Sequence, residues 1–345
     1  MQRRTLLKAG LVLPATLSAP ALVESTAQAA PRVGATLARG LSYPWGLAFL
    51  RDGSALVSER NSGRVLRVRP RGGYSVVGRV PGAFNGGGEG GLLGLALFSR
   101  SATDRWVYAF LTTRRDNRII RMRYAGGELG RPQVIVAGIP RNERHNGGGL
   151  MFTRGARPSL FATTGDSQRP GLAQNRRSLA GKVLRMKPNG APQEGNPFGN
   201  RVFSYGHRNP QGIARGEDGR LWLSELGEDS WDELNLLRKG RNYGWPREEG
   251  SDGPGGYRNP VAQWHPANCS PSGVALLNGQ AWVGALRGEC LWSVDISGAH
   301  RHRKIRHLHH RFGRIRMVRR APDNSLWIGT SNGGGEDRIV RIRLG

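Results

Sequence analysis

Six times in 345 residues the same phrase returns: an apolar run, a Gly/Asp turn, a second apolar run, another turn and a third run. It first spans 46–69 (GLAFLRDGSALVSERNSGRVLRVR), then 93–124, 148–186, 211–237, 271–296 and 315–342. Spacings of about 45 to 65 residues match the period of propeller blades. A blade is a small twisted sheet that cannot bury both faces alone, so it must stack on neighbours around an axis. The pattern predicts an all-β chain: a six-bladed β-propeller with four-stranded antiparallel blades. A large β-sandwich would leave the six-fold recurrence without a cause. Glycine points the same way, with 52 residues, about twice the usual share of ~7%. Each glycine inside a helix costs about 1 kcal/mol against alanine, which excludes a helical bundle. No linker or shift in composition divides residues 31–345, so one propeller domain is expected there.

Residues 1–30 read as a twin-arginine export signal. Arg3-Arg4-Thr5-Leu6-Leu7-Lys8 precedes an apolar stretch from Ala9 to Val23, and Ala27-Gln28-Ala29 resembles a cleavage site. The stretch is too short for a membrane span and is interrupted by Pro14 and Pro20. A periplasmic or extracellular protein is therefore expected. In an oxidising compartment, Cys269 and Cys290 suggest a single disulfide, with two buried thiols as the alternative. The formal charge of +27 is spread over every repeat rather than gathered in a stripe, which argues against nucleic acid as a partner. Adsorption to anionic cell-envelope polymers is a better use for it.

Four patches interrupt the strand pattern with polar groups. His145-Asn146-Gly147-Gly148-Gly149 opens the third repeat, and Asp166 follows the next strand in Thr163-Thr164-Gly165-Asp166. If Asp166 reaches His145 it fixes the tautomer and favours the imidazolium, which suits a general base; otherwise Asp166 simply caps a turn. Arg208 and Asn209, in YGHRNPQG, stand just before a strand, where an arginine can stabilise an oxyanion. The acidic run Glu225 to Glu233 suits an oxygen-loving cation such as Ca²⁺, or else pairs with the many arginines. Arg287, Arg314 and Arg316 form a cationic patch, the last two on one face if 314–316 is extended, fit for a multiply anionic ligand or for solvent. The run 300–314 holds five of the eight histidines and reads as a loop between repeats, with a transition-metal site as the alternative.

Taken in order, EGGLLG (89–94), HNGG (145–148), TGD (164–166), LAGKVLR (179–185), NPF (196–198), YGHRNPQG (205–212), DELN (232–235) and NYGWP (242–246) resemble the soluble pyrroloquinoline-quinone (PQQ) dependent aldose dehydrogenases of the glucose/sorbosone dehydrogenase family. The resemblance runs from about Leu41 to Arg343. It implies a six-bladed propeller that oxidises an aldose at C1 to the lactone, with hydride passing to PQQ C5. It implies that His145 is the general base, that Asp166 orients it and that Arg208 stabilises charge on the quinone. Glu89, Asn209, Arg287, Arg314 and Arg316 fall on cofactor-binding positions. The carbonyls of Gly227 and Glu228 fall where the family holds the catalytic Ca²⁺, and Glu233 and Tyr243 near a second, structural Ca²⁺. The chain departs from common family residues at Glu89, Arg144, Glu228 and Arg287. The expected partners are a small sugar and an unidentified electron acceptor. A non-catalytic glycan- or protein-binding propeller and a Ca²⁺-dependent lactonase-type hydrolase are the rival functions for this architecture.

Overall fold

The computed structural model describes residues 30–344 apart from 100, 102, 103, 252, 254 and 298–301. The expected export signal over 1–30 lies outside the described residues but for Ala30.

Six antiparallel sheets follow one another, and each is in contact with the next. Blade 1 comprises Pro44–Phe49, Ala55–Glu59, Arg64–Val68 and Tyr74–Arg79. Blades 2 to 5 span 92–139, 150–205, 209–264 and 271–307, and blade 2 carries a short extra strand, Glu128–Leu129. Blade 6 takes three strands from 315–343 and its fourth from the start of the chain, Arg32–Leu41, which pairs with Asp337–Arg343. This pairing closes the ring. Among the described residues no helix is long and apolar enough to cross a membrane.

Turn chemistry explains why the repeats fold alike. In blades 1, 4 and 6, an aspartate between the first and second strands accepts the backbone N–H two residues on: Asp52 from Ser54, Asp218 from Arg220 and Asp323 from Ser325. The residue between them, Gly53, Gly219 or Asn324, takes a positive φ, as such side-chain-capped turns require. Hydroxyls on the second strands then clasp adjacent blades. Ser58 donates to the Leu93 carbonyl (2.6 Å), Thr163 to that of Pro210 (2.7 Å) and Ser224 to that of Ser272. Between blades the second strands of blades 4, 5 and 6 bury Trp222, Trp282 and Trp327 almost completely, which supplies large apolar area at three of the junctions.

Two expectations are corrected. Cys269 and Cys290 remain thiols, both buried in the apolar cluster shared by blades 4 and 5. Burial raises the Cys269 thiol pKa well above its ordinary value and that of Cys290 to about 12, so both pack as small hydrophobes. The histidine-rich run is not simply a loop: Lys304–His307 is the outer strand of blade 5. There His307 meets Ser293 Oγ at 2.9 Å and packs on Trp282.

Candidate active site

Loops that join second to third strands, or one blade to the next, emerge at one end of the ring. They carry Glu89, His145, Asp166, Arg208, Gly227, Glu228, Arg287 and Arg314, whereas Asn209, Glu233 and Arg316 stand on strands and Tyr243 on the connection between the third and fourth strands of blade 4. Their convergence begins at His145, whose backbone is left-handed (φ 56°). Its N–H donates to Glu89 Oε2 at 3.1 Å, and its carbonyl accepts from the Ser167 N–H at 3.1 Å. Gly165 is obligatory here, because a Cβ at that position would collide with the His145 carbonyl.

His145 Nδ1 and Asp166 Oδ1 are 2.9 Å apart. Asp166 is fully buried, and its other oxygen accepts Trp245 Nε1–H at 2.8 Å, while Oδ1 also accepts the Gln168 N–H. A carboxylate fixed from three directions holds the imidazole with its proton on Nδ1, which leaves Nε2 as the acceptor. The side chain of His145 is 12% exposed, so that nitrogen can meet a ligand.

Arg208 and Asn209 stand at the entry to blade 4. The Arg208 carbonyl accepts the Asp166 N–H at 2.7 Å, which ties blade 4 to blade 3 at the reacting edge. Its guanidinium lies 5.6 Å from the Trp245 ring centre and forms an ion pair with Glu228 Oε2 at 2.5 Å. Asn209 donates to Glu89 Oε2 (3.2 Å) and accepts the Gly147 N–H (3.1 Å). Glu89 thus links His145 to Asn209.

Across the mouth, Arg316 is buried and donates to Gln211 Oε1 (2.8 Å) and Ser331 Oγ (3.2 Å). Burial pushes its pKa down, and the charges of Arg60 and Arg314 push it further. Glu89 and Asp337 offset part of that excess. Arg60, at a turn in blade 1 and stacked over Tyr43 at 4.5 Å, was not anticipated from the sequence. It is one of 52 basic residues in an ordinary turn, and no local signal marks it. Arg287 lies at the same end of the ring but is exposed, and its side chain has no ion pair among the described residues.

The acidic run builds a different environment. Glu225 meets His207 Nδ1 at 2.8 Å, and Glu233 accepts from Asn235 Nδ2 (2.8 Å) and the Gly250 N–H (2.7 Å). Burial, with Glu225 alongside, pushes the Glu233 carboxyl pKa well up; burial moves that of Asp232 to about 6. The Tyr243 hydroxyl is already engaged, donating to the Leu236 carbonyl and accepting the Arg238 N–H, both at 2.9 Å. Between these groups lies a cavity of about 10 Å³ that touches Gly227, Glu225, Glu233, Glu248 and Glu249, room for about one water-sized guest. Glu248 Oε2 is buried there without a hydrogen-bond partner among the described residues. Among the described residues no three His, Cys, Asp or Glu side chains converge as a ready metal site. An oxygen cage here would combine backbone carbonyls with one or two carboxylates, a donor set that suits Ca²⁺.

A family model for glucose/sorbosone dehydrogenase matches residues 41–341. The chain belongs to that family. The PQQ-bound aldose sugar dehydrogenase of Streptomyces coelicolor superposes with a TM-score of 0.87 at 45% identity, covering 92% of this chain and 99% of that one. The aldose sugar dehydrogenase YliI of Escherichia coli is 29% identical over 86% of this chain and 89% of its own length. Quinoprotein glucose dehydrogenase B of Acinetobacter calcoaceticus is 32% identical over 63% of this chain and 53% of its own. Like other members of the glucose/sorbosone dehydrogenase family, the protein is an oxidoreductase built on a six-bladed propeller.

Proposed function

We propose that the protein oxidises an aldose at C1 to the lactone, using PQQ and Ca²⁺, in the periplasm or outside the cell. The observation that carries this reading is an imidazole backed by a buried carboxylate and joined through Glu89 to a cluster of guanidinium groups. PQQ has three carboxylates, and Arg60, Arg314 and Arg316 form a cluster whose positive charge Glu89 and Asp337 offset only in part. That charge fits the cofactor. The partnerless oxygen of Glu248 likewise fits a nearby cation. When bound, PQQ with Ca²⁺ supplies an electrophilic quinone carbon that accepts hydride.

The protein's own residues do the rest. His145 Nε2 accepts the proton of the anomeric hydroxyl as C1 loses hydride, and Asp166 stabilises the imidazolium formed. Arg208, buried against Trp245, presents positive charge where negative charge develops. Its guanidinium is paired with Glu228 and lines the acidic cavity. Glu89 holds the His145 backbone and Asn209 in fixed relation. Asn209, Arg314 and Arg316 would hold the cofactor, and Arg287 would close over it. The carbonyls of Gly227 and Glu228 would ligate the catalytic ion, with a structural one near Glu233 and Tyr243.

The test is reconstitution. Apo-protein given PQQ, Ca²⁺ and a panel of aldoses should reduce a dye only when both additions are present. His145→Ala should lower kcat by at least about a thousandfold, the scale of losing a general base. Full activity in that variant, or lactone hydrolysis without PQQ, would contradict the reading.

A further inference from the structure

The axial channel has a second mouth. Loops that join first to second strands rim it, and a cavity of about 870 Å³ opens there, at the end of the ring opposite the candidate active site. Arg319 lines it from the first strand of blade 6. Its Nη1 donates to the Ile213 carbonyl of blade 4 (3.0 Å) and its Nη2 to the Leu150 carbonyl of blade 3 (3.4 Å). Blade 3 stands across the ring from blade 6, so the side chain spans the axis.

Among the described residues no acid balances this cation. Its neighbour Arg320 is paired with Glu217 at 2.5 Å, but among the described residues Arg319 forms no ion pair. Burial pushes its pKa down, and no nearby carboxylate pulls it back. A guanidinium carries five N–H donors, and the two carbonyls satisfy only part of that capacity. Arg154 and Arg215 also line the cavity, where Glu217 is the lone acid and is already engaged. The same cavity exposes parts of Phe49, Leu97 and Met151, all half-buried. Positive charge at the inner end and apolar surface along the wall describe one kind of guest.

We propose that this mouth binds a small organic carboxylate, its head on the Arg319 guanidinium and its apolar body against Phe49, Leu97 and Met151. The planar guanidinium matches a carboxylate in geometry as well as charge. An inorganic anion would leave the apolar wall in contact with water.

Calorimetric titration of the full chain with benzoate, and with benzyl alcohol as its neutral counterpart, tests the site. Saturable benzoate binding is expected, weakened at least tenfold in Arg319→Gln and unchanged in Arg316→Gln, with no saturable uptake of the alcohol. Equal binding of the two probes, no benzoate binding, or loss in Arg316→Gln with none in Arg319→Gln would overturn the proposal. Because Arg319→Gln also removes two bonds to the ring, wild-type crystals soaked in 4-bromobenzoate give a second measure. A bromine anomalous peak beside Arg319 supports the site; a peak only among Arg60, Arg314 and Arg316, or none, overturns it.

Discussion

Two imidazole–carboxylate pairs stand on adjacent blades with nearly the same geometry, yet they are suited to different work. His145 and Asp166 are 2.9 Å apart; His207 and Glu225 are 2.8 Å apart. The difference lies at the far nitrogen. That of His207 meets Ser204 Oγ at 2.8 Å, its ring stacks on Tyr243, and its side chain is 0% exposed. Every polar atom of that ring is used inside the protein. His145 has no hydrogen-bond partner at its second nitrogen among the described residues, and its side chain is 12% exposed. A histidine beside an acid is therefore not evidence of catalysis; an unspent nitrogen facing a ligand is.

The contrast is most sharply tested at the two carboxylates. Asp166→Asn keeps the shape but lets the amide favour the wrong tautomer, and should lower kcat by roughly a hundredfold or more with little change in melting temperature. An unchanged kcat would show that Asp166 only shapes the loop. His207→Ala should do the reverse, destabilising the fold by about 3 kcal/mol because Glu225 is left buried without its partner. Denaturant melts would show this loss, while the proton-transfer step, read from the pH profile of kcat, stays in place. Trp245→Phe removes one donor from Asp166 and should cost about 1 kcal/mol in kcat/KM, and less in stability. The smallest effect concerns the buried thiols, whose pKa values burial raises. At pH 8 both stay protonated in the native protein, so a thiol reagent should label Cys269 and Cys290 only on unfolding. Rapid native labelling would show that the junction of blades 4 and 5 opens.

Much of this is legible in the sequence. The blades follow from local rules, since turn residues and strand alternation repeat every 45 to 65 residues. His145, Asp166, Arg208 and Asn209 stand out because polar groups interrupt the strand pattern of the repeat, whereas Glu89 is reached only through the family resemblance. Arg60 and Trp245 were not distinguished in this way. Arg60 resembles dozens of other basic residues, and Trp245 becomes a partner of Asp166 only because the chain brings positions 79 residues apart together. Cys269 and Cys290 were misread for a related reason. Compartment suggests oxidation, but their packing in an apolar cluster is a property of the folded ring. The partner of the first strand was equally hidden, because nothing within Arg32–Leu41 announces that it pairs with Asp337–Arg343.

That pairing has a consequence for assembly. Arg32–Leu41 waits for Asp337–Arg343, which leaves the ribosome about 300 residues later, so five blades can exist as an open arc while the sixth lacks its rim. Losing residues from Arg32–Leu41 or from Asp337–Arg343 would unfasten the clasp rather than trim a tail. Joining the two ends and cutting a surface turn elsewhere should leave the circle intact.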